Sequence, residues 1–183
     1  ITNAYGGSTF VNNGTLLLNK QGGAIGVRGT LHIGDYRGGD DVDVVRYATT
    51  AGTNQISDVA VLVHTSGLLD LNGVNDTVNN ALTLFVGPDA SGTIVMSGGT
   101  YAMNNVVNVR SAGGVSALSP SATISGVLNL GGNERNFDIR RSGGGMTQEL
   151  DVQALVINGG ISKIGNGTLR LSQTNTYSGI TSI

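Results

Sequence analysis

The chain has 183 residues, a net charge of −2, 30 glycines, two prolines and no cysteine, and only 12 % of its residues are charged and 4 % aromatic. Glycine without a three-residue period excludes collagen, recurring aliphatic residues argue against a disordered linker, and the lack of cysteine excludes disulfide frameworks and thiolate metal sites. The scattered basic residues give no footprint for nucleic acid, and no apolar run reaches the roughly 18 residues needed to span a bilayer.

A short phrase recurs along the chain: glycine, then threonine or an aliphatic residue, then two large apolar residues separated by any residue. Its six copies begin at Gly14, Gly29, Gly67, Gly92, Gly126 and Gly167. Alternation with a period of two predicts a half-buried strand in each copy. The residues predicted to point inward are, in chain order, Leu16, Leu18, Leu31, Ile33, Leu69, Leu71, Ile94, Met96, Leu128, Leu130, Leu169 and Leu171. The residues between them, predicted to point outward, are Leu17, His32, Asp70, Val95, Asn129 and Arg170.

An all-β chain of short strands is compatible with a sandwich, a barrel or a solenoid. Three observations favour the solenoid: two-residue hairpin turns are few, the strand phrases resemble one another as stacked coils do, and large aromatic residues are scarce. We therefore predict one elongated β-solenoid unit over residues 1–183, with the glycines that lead each phrase permitting bends at positive φ. Six or seven coils at ~4.8 Å each would make a rod segment of about 30 Å.

The two ends of the chain match. Asn3, Tyr5, Gly7 and Thr9 recur as Asn175, Tyr177, Gly179 and Thr181, at an offset of about 172 residues. We expect the chain to be one period of a longer tandem array, or a unit that stacks head to tail. Open strand edges invite pairing, and we see no capping repeat that would cover them.

The segment 163–179 closely resembles the autotransporter-associated β-strand repeat of bacterial passenger domains, whose form is K-x-G-x-G-T-L-x-L-S-x-x-N-T-Y-x-G. The residues that carry the resemblance include Gly165, Gly167, Thr168, Asn175, Tyr177 and Gly179. The segment 5–16 looks like a continuation of the same motif. The resemblance implies a right-handed parallel β-helix that is extracellular or displayed at the bacterial cell surface, and it brings no catalytic residue, cofactor or metal ligand.

Few residues are candidates for chemistry. The acidic stretch 35–43 could bind Ca²⁺ but lacks the repeated calcium-binding pattern of β-rolls, so we predict a solvated loop leading into a strand at 42–45. His32 and His64 have no visible catalytic partner and are predicted to be surface residues. The charged stretch 134–141 is predicted to be a solvated strand with paired charges rather than a binding loop. Gly143–Gly145 lacks the Lys-Ser/Thr of a phosphate-binding loop.

The asparagine pairs at 12–13, 79–80 and 104–105 suggest buried ladders of hydrogen bonds along the axis. Three classes of function remain. The first is a structural rod or fibre whose partners are copies of itself, and the second is an adhesin that binds surface glycans or matrix through a lateral face. The third, a polysaccharide-active enzyme, we do not expect. A lateral groove lined by aromatic residues and carboxylates would favour the second or third class, whereas a bare polar flank would favour the first.

Overall fold

A computed structural model describes all 183 residues, and the chain is all-β without a helix. Fourteen strands form one continuous sheet that winds through about six turns. The strands are β1 Thr9–Val11, β2 Gly14–Leu18, β3 Leu31–Ile33, β4 Asp43–Tyr47, β5 Val61–Val63, β6 Gly67–Asp70, β7 Asp76–Val78, β8 Leu82–Val86, β9 Thr93–Met103, β10 Val107–Ser111, β11 Ala122–Ile139, β12 Leu150–Ile164, β13 Leu169–Leu171 and β14 Thr181–Ser182. No helix that could span a membrane is present.

All pairs between the named strands are parallel, and each joins one coil to the next. Face A contains β1, β3, β5, β8, β10 and the last parts of β11 and β12, and β14 pairs with β12 at its C-terminal edge. Face B contains β2, β4, β6, β13 and the first parts of β9, β11 and β12. Face C contains β7, the end of β9 and the middle of β11 and β12. This arrangement confirms the predicted parallel β-solenoid.

The aliphatic side chains that alternate along each strand point into the tube that the three faces enclose. One connected apolar core runs through the whole unit, as expected when each coil buries the inner surface of its neighbours. The largest fully buried side chains include Tyr47, Tyr101 and Phe137. The scarcity of aromatic residues in the sequence therefore does not mean that the core lacks them.

The recurring phrases lie on different faces, which accounts for their unequal spacing. The phrase at Leu31 lies on face A in β3, those at Leu69 and Ile94 lie on face B, and that at Leu128 lies on face C. The number of residues between two phrases therefore depends both on how many coils separate them and on which faces they occupy.

At several of the glycines that begin a phrase, glycine is required because the backbone of the neighbouring coil lies too close for a side chain, and not because φ is positive. A Cβ atom on Gly67 would lie 2.2 Å from the carbonyl oxygen of Ile33, and one on Gly92 would lie 2.4 Å from that of Val63. Neither glycine has a positive φ. The bends at positive φ that we predicted occur at Gly14 and Gly126 among the leading glycines.

Candidate functional site: the two open ends of the solenoid

An unbroken aliphatic column runs along face B from one end of the unit to the other. Consecutive coils place its members in direct register, and these are, in order, Leu16, Val45, Leu69, Ile94, Ile124, Val152 and Leu171. The inner members are fully buried or nearly so, whereas the two outermost, Leu16 and Leu171, are only partly buried. The column is therefore exposed at both ends.

At the N-terminal end, the edges of two strands are unpaired. β1 pairs only with β3 and β2 pairs only with β4, so one edge of each strand faces away from the unit. Leu16 packs against the core from this open coil, while Phe10 and Leu17 on its outer side are 61 % and 56 % exposed. Such an edge is a template for another parallel strand.

At the C-terminal end, β13 and β14 both pair only with β12. Leu169, Leu171 and Tyr177 are partly buried against the core, and no further coil covers them. The predicted inward pairs in the interior, such as Leu31 with Ile33 and Leu128 with Leu130, are fully buried. Among the twelve predicted inward residues, the partly buried ones are Leu16, Leu169 and Leu171, all of which lie in the end coils.

The two ends also share local geometry. The hydroxyl groups of Tyr5 and Thr9 lie 3.0 Å apart, and those of Tyr177 and Thr181 lie 2.8 Å apart. Glycines also allow close approach between coils at both ends: a Cβ atom built on Gly29 would lie 2.1 Å from the carbonyl oxygen of Gly7, and one built on Gly179 would lie 2.4 Å from that of Gly159. The match between residues 3–9 and 175–181 therefore extends from the sequence to the paired tyrosine and threonine hydroxyls.

The residues of the repeat motif form the last coil. Gly165 has a φ of 79°, and a Cβ atom built on it would lie 2.4 Å from the carbonyl oxygen of Ile139. A side chain therefore does not fit at this position. The backbone N–H of Thr168 donates to the buried carboxylate of Glu149 over 2.7 Å. Asn175 accepts a hydrogen bond of 2.9 Å from the backbone N–H of Val156 with its side-chain oxygen. Gly167 and Gly179 both lie against the backbone of the coil below.

The acidic stretch 35–43 forms a loop between faces A and B. Asp40 accepts a hydrogen bond from the backbone of Ser91, burial raises the pKa of Asp41, and Asp43 is buried with one oxygen unpartnered. The strand that follows runs from Asp43 to Tyr47, one residue later than predicted. No group of three or more histidine, aspartate or glutamate side chains is arranged to hold a metal ion.

The prediction that His64 is a surface residue is wrong, whereas Asp70 points outward as predicted but is covered by a neighbouring side chain. His64 is only 7 % exposed because the rings of Tyr36 and Phe85 cover it, and its pKa is lowered by burial and by the neighbouring His32. Asp70 is 8 % exposed because the Arg46 guanidinium lies against it at 2.7 Å. His32 is half-buried, and burial also lowers its pKa.

The charged stretch 134–141 lies mostly in β11, and its apolar residues Phe137 and Ile139 are fully buried. Asp138 pairs with Arg110 of the preceding coil at 2.6 Å and with Arg140 at 3.6 Å. The strand assignment is confirmed, and its closest ion pair joins two coils.

Sequence reasoning missed a buried polar cluster in the core. Asp76 is 1 % exposed and accepts hydrogen bonds from the Tyr47 hydroxyl and from the backbone N–H of Ile56 and Thr77. Burial raises the pKa of Asp76 to about 6, although these hydrogen bonds oppose the shift. The hydroxyl of Tyr101, which is also buried, has no partner. A lone aspartate inside an alternating strand leaves no sequence signal that distinguishes it from a surface residue.

A comparison of the chain with protein families, with curated proteins and with solved structures found no match.

Proposed function

We propose that the chain is a structural module of a secreted or surface-displayed bacterial protein, and that units join by coil-on-coil stacking into a rod or fibre. The observation that carries the proposal is the aliphatic column from Leu16 to Leu171, which is partly exposed at both ends. A second copy stacked in register would seat its β2 on β13 and place Leu16 over Leu171.

Physical chemistry supports such a junction. It would pair the free edges of β2 and β13, and it would bury the apolar side chains of both end coils. The junction could be covalent, in a tandem array with the ~172-residue period suggested by the matching ends, where β14 of one unit is also the β1 of the next. It could also be non-covalent between separate chains, where one of these two overlapping strands replaces the other. The similarity of segment 163–179 to the autotransporter-associated repeat supports the extracellular location. The proposed role is structural and involves no reaction.

Two single variants and their mixture test the stacking. Leu16→Lys places a charge on the N-terminal end, and Leu171→Lys places one on the C-terminal end. Both residues are only partly buried, so each lysine can extend into solvent and the fold is expected to persist, which circular dichroism checks. Wild type should form filaments in electron micrographs, and each variant alone should be monomeric in analytical ultracentrifugation.

The mixture is the sharper measurement. The intact C-terminal end of Leu16→Lys can receive the intact N-terminal end of Leu171→Lys, so an equimolar mixture should give 1:1 dimers and nothing longer. Leu118→Lys is the matched control, because Leu118 is 94 % exposed on a lateral loop and should leave the filaments unchanged. Filaments formed by either end variant, or a mixture that remains monomeric while wild type assembles, would contradict head-to-tail stacking.

A further inference from the structure

The outer side of face A carries a continuous row of rings across four coils. Phe10 stacks on His32 with ring centroids 4.5 Å apart, and His64 stacks on Phe85 at 4.8 Å. The two histidines are linked through Nδ1 of His32 and Nε2 of His64, which lie 3.3 Å apart. Tyr36 sits edge-on to His64 at 4.6 Å. We call this set the aromatic row.

Tyr36 occupies a backbone conformation that does not suit it. Its φ is 69°, in the left-handed region that bulky residues rarely adopt. The other residues with positive φ are glycine, asparagine, aspartate or serine, so Tyr36 is the one aromatic residue held this way. Its side chain is nevertheless 50 % exposed. Backbone strain of this kind clusters at binding sites, where the side chain is needed in one position.

A recess of about 210 Å³ opens beside the Tyr36 ring, between the loop at 35–42 and the loop at 87–91. Its walls combine that ring with the polar residues Thr65, Ser66 and Asp89 and the backbone of two glycines. Binding pockets typically pair an apolar or aromatic surface with a few polar groups, and drug-sized ligands need ~300–1,000 Å³. This smaller recess therefore suits a single ring of a ligand.

The charges around the recess disfavour an anionic ligand. Asp89 is the one charged residue that lines it, and the loop that supplies Tyr36, Gly38 and Gly39 to the other wall carries three further aspartates and a single arginine. A carboxylate, sulfate or phosphate placed there would meet a surplus of like charge. Hydroxyl groups, by contrast, would donate hydrogen bonds to Asp89.

We infer that the recess beside Tyr36 binds one ring of a neutral saccharide. The C–H face of a sugar packs against an aromatic ring, while the hydroxyls at its rim donate to Asp89 and exchange hydrogen bonds with Thr65. Further sugar units of the same chain would extend over the aromatic row, where Phe10 is also exposed. This site lies on a lateral face, so stacking of the ends would leave it open and repeat it along a rod.

The test uses ligand-observed nuclear magnetic resonance on the whole chain. The probes are four neutral hexasaccharides, of maltose, cellulose, mannan and chitin type, and an oligogalacturonate as an anionic counterpart. At least one neutral probe should bind wild type, and the anionic probe should bind at least about tenfold more weakly.

Tyr36→Gly is the decisive variant, because glycine removes the ring and suits a φ of 69°. It should remain folded, because relief of the backbone strain offsets part of the packing that the ring provides over His64, and it should weaken binding by about tenfold or more. Tyr36→Phe should bind within about threefold of wild type. Asp89→Ala, at an exposed residue, should weaken binding without altering the fold. Tyr5→Ala removes another half-exposed tyrosine ring away from the recess and should change nothing.

Three results would overturn the inference: no neutral probe binding to wild type, equal binding by Tyr36→Gly and wild type, or equal binding of the anionic and neutral probes. None of them bears on stacking at the ends, so the two proposals stand or fall separately.

Discussion

At the scale of single residues, Asp76 is a carboxyl group buried in an otherwise apolar core. Its pKa is about 6 in the folded chain and 3.8 in an unfolded one, so folding favours the protonated form. The stability that this preference contributes is fully present below about pH 4 and is lost as the pH rises through about 6. At neutral pH the chain folds with a buried carboxylate that only hydrogen bonds compensate.

Asp76→Asn should flatten one part of the pH dependence of stability. The difference between the two pKa values corresponds to about 3 kcal/mol. Between about pH 4 and pH 7.5 the free energy of unfolding of wild type should therefore fall by about that much more than that of the variant. Urea unfolding at a series of pH values measures it. Asp89→Asn, at an exposed carboxyl, is the control and should follow wild type. Parallel curves for wild type and Asp76→Asn would contradict the raised pKa.

Gly67 illustrates a second constraint at this scale, set by the distance between coils. An alanine there would place its Cβ atom against the carbonyl of Ile33, and backbone atoms on both sides prevent relaxation. Gly67→Ala should therefore lower the free energy of unfolding by about 3 kcal/mol or more. Gly6→Ala is the matched control, since a Cβ atom on Gly6 has nothing within 4 Å and should have little effect. Equal melting temperatures for the two variants would refute the steric explanation.

At the scale of elements, a ladder of polar side chains joins four coils along one corner. Asp58 accepts a hydrogen bond from Asn79 at 2.8 Å, Asn79 accepts one from Asn104 at 2.6 Å, and Asn104 accepts one from Arg135 at 3.1 Å. The sequence suggested such ladders but placed them in the interior. Asn79 is exposed and Asn104 half-buried, because the corners between faces turn these side chains outward.

Asn104→Ala should remove two rungs of this ladder and lower stability by about 1 kcal/mol, since side-chain hydrogen bonds near the surface contribute modestly. Asn13→Ala is a suitable comparison, because Asn13 is exposed in a turn of the first coil. Thermal unfolding of the two variants measures the difference. A melting temperature of Asn104→Ala equal to that of Asn13→Ala would mean that the ladder does not stabilise the corner.

The strands that could be predicted from sequence are those in which one side faces the core and the other faces solvent. Leu31 and Ile33 flank a single half-buried residue, and that alternation is visible without a structure. β12 was missed because it runs from face B through face C to face A in 15 residues, so its alternation changes phase at Asn158 and Gly159, which both have positive φ. The burial of His64 and Asp70 was missed for another reason. Loops and neighbouring side chains cover parts of the outer surface, and no local pattern encodes that cover.

At the scale of the whole molecule, the coils differ in how many neighbours they have. Interior coils are paired above and below, whereas β1, β2, β13 and β14 are paired on one side only. Such units open locally from their ends with little free energy, and central coils require nearly global unfolding. The proposed stacking would cover the free edges of β2 and β13.

Hydrogen exchange should therefore depend on assembly. In the monomeric Leu171→Lys variant, peptides covering β1, β2, β13 and β14 should exchange faster than those covering β5, β8 and β10. In wild-type filaments, β2 and β13 should become as protected as the central strands. Peptide-resolved mass spectrometry measures both states, and equal exchange of β2 and β13 in filaments and monomers would contradict the proposed junction.

The parallel ladders between coils have a mechanical consequence. Their hydrogen bonds point along the long axis, so tension applied at the two termini acts on each ladder in turn. The breaking force is then that of the shortest ladder, which is the two-residue contact between β12 and β14. Under load the unit should open first at its last coil while the long contact between β11 and β12 still holds.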